Sequence, residues 1–322
     1  VFVSGSNDCA SPPANFNPLT ASKHDLLYYG LPVRPEGDTK LINSWLTKVQ
    51  NAKHRDCSFI TVHHNYPQNV NSALVRPNSI ENTGTSNIWS GYVVGDGTPS
   101  GFNYVEGKWN NPCLNASKTP TGSQVANWVG LGGYSSKPGE DPGFLWQAGT
   151  EVETGPPASG SPQSPVYHMW YEAYPKEDWI VDTHPMNCGD HIYAEVDYNF
   201  TYSSSSYAYV HDSSNGLYIA VSDITWTPNL KYAEWIDERP SCPWTTNPHK
   251  LADFNYMDWS YAYAKPTPSN TVGPISAFTH TRLSMVDIWG NTIAYPLSLG
   301  SDGASFTDEF GNAGNGDGYC GS

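Results

Sequence analysis

The chain has 322 residues, enough for one large β domain or two smaller units. Only 15% of them are charged and the formal net charge is −15. That balance argues against nucleic acid or an anionic membrane as partner, because phosphate binding needs clustered Lys and Arg.

The 12 Trp, 21 Tyr, 29 Gly and 26 Pro favour sheets, turns and a ring-lined groove over helices. The sequence opens without Met, shows no signal-type apolar stretch and holds no run long enough to span a bilayer, so it reads as a processed, secreted, extracellular product. The six cysteines (Cys9, Cys57, Cys113, Cys188, Cys242, Cys320) are scattered. Zinc ligands come as close pairs, so three disulfides are the expectation, with the pairing open. Asn115 and Asn199 stand in sequons.

Residues 1–83 read as an extension of short helices, either a propeptide or a packed arm. Ser22 to Asp25 resembles a capping box, opening a helix that Gly30 and Pro32 stop. Leu41, Ile42, Trp45, Leu46 and Val49 recur at helical spacing after Asp38. His63 and His64 are adjacent, and on a strand they point to opposite faces, which makes them poor joint metal ligands. From Trp89 the pattern changes to period two. HIYAEVDYNFTY, SYAYVHD and GLYIAVSDITW alternate, and Asn215-Gly216 signals a hairpin. Many strands without a βαβ rhythm predict an all-β fold over residues 84–322, an antiparallel β-sandwich of the concanavalin A-like or jelly-roll type. The SSSS run at 203–206 reads as a linker between strands, and GNAGNGDGYC as a turn-rich tail tied down by Cys320.

Five segments stand out in order: Trp89-Ser-Gly-Tyr92, Trp128-Val-Gly-Leu-Gly-Gly133, Leu145-Trp-Gln-Ala-Gly149, Trp170-Tyr-Glu-Ala-Tyr-Pro175 and Glu234-Trp-Ile-Asp-Glu238. Together, over roughly residues 84–250, they resemble the glutamic peptidases of the eqolisin family. The segment LTASKHDLLYYGLPVRP looks like the one found ahead of the catalytic domain in bacterial relatives. The resemblance implies an acid endopeptidase that resists pepstatin, needs neither metal nor organic cofactor, and uses Gln147 and Glu238 as its catalytic dyad. The residue types suit that chemistry. A carboxylate can take a proton from the attacking water and return one to the departing amine. A neutral carboxamide keeps donating to a developing oxyanion at any working pH.

Strand parity supports the grouping. On regular strands Glu234, Ile236 and Glu238 share a face, as do Leu145, Gln147 and Glu151, and as do His168, Trp170 and Glu172. One concave face is therefore expected to carry the dyad with Trp128, Trp170, Glu172, Glu234 and His168 as substrate-binding residues, while Asp237 points away. Clustered acids raise one another's pKa. Two positions depart from the fungal pattern: Gly132 stands where an Asp is common, and His168 where an acid is common. His168 would be cationic in acid and alter subsite preference.

Taken alone, Glu238 before Arg-Pro reads as a strand-end acid, Gln147 as a half-buried amide, and Trp128 and Trp170 as core. The ordered motifs reverse the first two of these readings. The alternative in another enzyme class is a concanavalin-like glycoside hydrolase, with a sugar-binding module as a third reading. Glu234-Trp-Ile-Asp-Glu238 breaks the hydrolase pattern E-x-D-x-x-E, since its acids stand at offsets zero, three and four. Polypeptide is the expected substrate, and the protein is expected to be a monomer.

Overall fold

The structure is a computed structural model. It describes residues 80–314, apart from positions 97, 99, 116, 138–142, 155–164, 175–176, 182–185, 199–205, 223–227, 242–247 and 270. It also describes residues 2–4, 13, 15–21, 46 and 60–62. The helices expected before residue 50 lie outside these apart from Leu46, as do His63, His64, Asn199 and Ser203–Ser205.

In the first part of the chain β1 (Phe2–Ser4) pairs antiparallel with β2 (Ile60–Val62). The strands that follow are β3 (Glu81–Ser86), β4 (Trp89–Val94), β5 (Phe102–Asn110), β6 (Ser123–Gly132), β7 (Leu145–Glu153), β8 (Val166–Tyr174) and β9 (Glu177–Val181). Next come β10 (His191–Asp197), β11 (Tyr207–Asp212), β12 (Leu217–Ser222), β13 (Ala233–Glu238) and β14 (Lys250–Leu251). The last are β15 (Tyr256–Pro266), β16 (Gly273–Pro274), β17 (His280–Val286), β18 (Thr292–Pro296) and β19 (Phe306–Phe310). A 3-10 turn, Ile275–Ala277, interrupts them.

These strands form two layers. The first runs β9–β8–β7–β6–β13–β4–β17, and β17 then pairs with β3 and β18, followed by β19 and the first half of β15. The second runs β12–β11–β10–β5–β15–β16. Pairing is antiparallel except between β17 and β3 and between β14 and β6. β3 spans the expected boundary between residues 83 and 84 and belongs to the main sheet.

The alternation read from the sequence has a direct physical outcome. On β10, Ile192, Ala194 and Val196 enter the core while Tyr193 and Glu195 face the other way. The Asn215-Gly216 signal forms the β11–β12 hairpin, with Gly216 at φ 77° and its N–H donating to the Asp212 carbonyl. Trp109, Trp146, Trp235 and Trp259 fill the space between the layers. Cys113 and Cys188 form a disulfide; the other four cysteines lie outside the described residues.

Candidate active site

The site is built on the face of the first sheet that points away from this core. Register places its residues in three rows, because directly paired residues share a face. One row is Trp89, Glu238, Ala126, Glu151 and His168. The next is Gly91, Ile236, Trp128, Gly149 and Trp170. The third is Val93, Glu234, Gly130, Gln147 and Glu172. All seven residues expected in the site, Gln147, Glu238, Trp128, Trp170, Glu172, Glu234 and His168, thus occur on this face. Asp237 pairs with Ser90 and Asn127 on the opposite face, as parity predicts.

Gln147 lies level with Glu234 rather than with Glu238, so the row of Trp128 stands between Gln147 and Glu238. Among the described residues they make no direct hydrogen bond. Gln147 Nε2 donates to Glu172 Oε2 at 2.7 Å, which fixes the carboxamide and leaves its second N–H for another acceptor. Trp128 spans the gap. A Cβ on Gly130 would lie 2.8 Å from the six-membered part of the indole, while the indole N–H reaches back to Glu238 Oε2 at 2.7 Å. Trp89 closes the row, meeting Trp128 edge-on at 5.1 Å between ring centroids.

Electrostatics distinguishes the acids. Burial, reinforced by the charge of Glu172, pushes Glu238 up to about 7, even though the Trp128 bond pulls it down. Glu151 is pushed to about 8 by burial and by the charges of Glu153 and Glu238. Glu234 is fully enclosed at the end of this face, and burial raises it well above the carboxylate range, with only the Gly132 backbone N–H acting the other way. His168 is buried, with Nε2 3.9 Å from Glu153 Oε1. Trp128 and Trp170 pack with Trp89, Leu145, Ile236 and Leu283 in a second apolar cluster on this face, so both are enclosed.

Gly132 is explained by its backbone. It sits at φ 93°, and a Cβ there would stand 2.3 Å from the Phe144 carbonyl oxygen, so no aspartate fits. Two residues absent from the expected set also belong to the site. Glu151 shares parity with Gln147, and Trp89 opens the first motif, so both signals were in the sequence. Beyond Trp89 an open cleft of about 890 Å³ continues along β3, lined by Ser86, Tyr134, Thr281 and Leu283 among others. Among the described residues no group of His, Cys, Asp and Glu could hold a metal ion.

The comparisons settle what kind of molecule carries this arrangement. Residues 87–302 match the model of the Peptidase A4 family. The chain belongs to the Peptidase A4 family. By that membership it is a peptidase of the glutamic type and acts on polypeptides. Solved structures of similar fold include scytalido-glutamic peptidase with a peptide-based transition state analog, 17% identical, at TM-score 0.53. That match covers 70% of this chain and 98% of the other. SCP-B, a member of the eqolisin family solved with the tripeptide Ala-Ile-His, is 16% identical at TM-score 0.51, with the same coverage. At these identities the likeness is one of fold. No curated protein matches the chain. The expected β-sandwich glutamic peptidase stands, and the glycoside hydrolase and sugar-binding alternatives are set aside.

Proposed function

We propose that this Peptidase A4 member cleaves peptide bonds with Glu238 as general base and then general acid, and with Gln147 as oxyanion donor. The observation that carries the reading is the relay on one face: Glu172 holds the Gln147 carboxamide and also acts electrostatically on Glu238. In this reading the scissile carbonyl is held between the second N–H of Gln147 and the Glu238 carboxylate. Water activated by Glu238 attacks the carbonyl carbon, the oxyanion accepts the Gln147 N–H, and Glu238 returns the proton to the departing amine. The open cleft beyond Trp89 suits an extended polypeptide.

Acid action follows from two opposing limbs. The base form of Glu238 grows as pH rises toward about 7. The fold moves the other way. Glu106, Glu151 and Glu238 are raised to about 7, 8 and 7, and Glu234 and Asp308 are raised well above the carboxylate range, in each case first by burial. Each keeps a proton in the folded state that the unfolded chain releases near pH ~4. Their stabilisation is complete below that pH and is lost as pH rises through the folded values. The working range is therefore mildly acidic, consistent with a secreted enzyme acting as a monomer in an acid medium.

The test is digestion of an unfolded protein across pH, with pepstatin and a chelator present. The expected result is cleavage insensitive to both. Glu238→Gln and Gln147→Ala are run after each variant is shown to fold, and full activity in either sinks the dyad.

A further inference from the structure

Behind Glu238, on the core side of β13, lies a second carboxyl pair that the proposed chemistry does not use. Asp237, on β13, and Asp308, on β19, are both fully buried, and their carboxyls meet within hydrogen-bonding reach. Asp237 receives strong donation: Asn127 Nδ2 at 2.6 Å and Trp259 Nε1 at 3.2 Å from each oxygen. Asp308 receives Ser90 Oγ at 2.8 Å on one oxygen and is lowered slightly by the Glu309 N–H, while among the described residues its Oδ2 makes no hydrogen bond to a donor. Among the described residues the groups placed against the pair are neutral: Asn127 on β6, Ser90 on β4, Trp259 and Met257 on β15, and Pro296 on β18. The nearest cation in sequence, Arg239, is turned elsewhere, with Nε on the Asn87 carbonyl at 2.7 Å and Nη1 beside Gly314.

Two ionised carboxyls in contact, in a closed interior with only neutral donors, are not tolerated. One must carry a proton, and donor supply says which. Asp237, with its N–H donors, is the ionised partner. Asp308 is the acid, and its proton is the donor that its contact with Asp237 calls for. We propose that Asp237 and Asp308 hold a single proton between them, and that this shared proton positions Glu238 for the reaction and sets an upper pH limit on it. The positioning is direct, because Asp237 is the residue before Glu238. Whatever fixes the Asp237 side chain on the core side fixes the direction in which Glu238 leaves the strand. The pair also joins β19, at the far end of the first sheet, to β13 at its centre. Burial raises both carboxyls, and Asp308 the more, in agreement with this assignment.

Losing the proton as pH rises leaves two charges in the interior and loosens β13 at the catalytic residue. The part of the proposal that concerns Glu238 rests on the dyad reading; the shared proton itself does not. Asp308→Asn replaces the acidic hydrogen with a permanent N–H, whereas Asp308→Ala removes it. For Asp308→Asn we expect acid-pH kcat within about threefold of the parent, activity extending to higher pH, and loss of a protonated-carboxyl band from the infrared difference spectrum. The unfolding constant of the parent should rise with pH between about 4 and 6 more steeply by one proton, roughly tenfold per pH unit, than that of Asp308→Asn. Asp308→Ala should lose kcat with KM little changed. An unchanged pH slope in Asp308→Asn, or kcat as low in Asp308→Asn as in Asp308→Ala, overturns the proposal. Asp237→Asn supplies the same hydrogen from the other side. If neither asparagine variant folds at any pH where the parent folds, the proposal also fails. The slope and the infrared band are read without substrate, and Glu238→Gln should keep both, so failure of the dyad reading is seen separately.

Discussion

Two carboxylates in this protein, Glu238 and Glu106, are raised to the same value, about 7, in different surroundings. Glu238, in the first sheet, accepts the Trp128 indole N–H and is lowered also by Trp89, which lines an open cleft that Glu238 itself does not line. Glu106, in the second sheet, faces Glu195 directly across from β10. There the tyrosines surround the charge: the Tyr193 hydroxyl lies within hydrogen-bonding reach of both glutamates with one proton to give, and Tyr104 donates to Glu195. A raised pKa therefore does not identify a catalytic acid. The difference is in donors. Glu106 and Glu195 are held by hydroxyl groups that belong to the fold, while Glu238 keeps bonding capacity for water and substrate.

The comparison can be broken at several points. Replacing Glu238 with Gln should cost at least about a thousandfold in kcat, with a small change in melting temperature, because the proton carrier is lost while shape is kept. Gln147→Ala should cost about a hundredfold in kcat, the usual effect of one oxyanion donor, measured by initial rates on a quenched peptide. Glu106→Gln should leave kcat at acid pH unchanged and shift stability by about 1 kcal/mol, read by urea unfolding; a large loss of activity there would erase the distinction between the sheets. Trp128→Phe is the finest probe. Removing the indole N–H takes away the bond that lowers Glu238, so its pKa rises and the acid limb of kcat/KM should move upward by about one pH unit or less.

Much of the fold could be read from alternation and turn chemistry, because each is a property of a short stretch of chain. The shared faces of Gln147, Glu151, His168, Trp170, Glu172, Glu234 and Glu238 followed the same way, from parity along β7, β8 and β13; Trp128, on β6, did not. What parity cannot supply is register between strands distant in sequence. The Trp128–Glu238 bond joins residues 110 positions apart, and the offset that sets Gln147 level with Glu234 is fixed by how β6, β7 and β13 slide against one another. Asp308 was silent for the same reason: TDEF reads as an ordinary strand end until the sheet brings it round to Asp237. Gly132 was noticed as a departure, but only the crowding at the Phe144 carbonyl shows why a side chain is excluded.

One strand belongs to both layers. β15 pairs with β19 in the first sheet over Tyr256 to Trp259, then with β5 in the second from Ser260 onward, and its register slips between Ser260 and Tyr263. Tyr261, at that slip, adopts φ 56°, a backbone shape rare for a residue with a side chain. The sandwich is thus a single creased ribbon rather than two stacked plates. A change in the curvature of the first layer therefore bears on the chain at this crease, where β15 passes from one layer to the other.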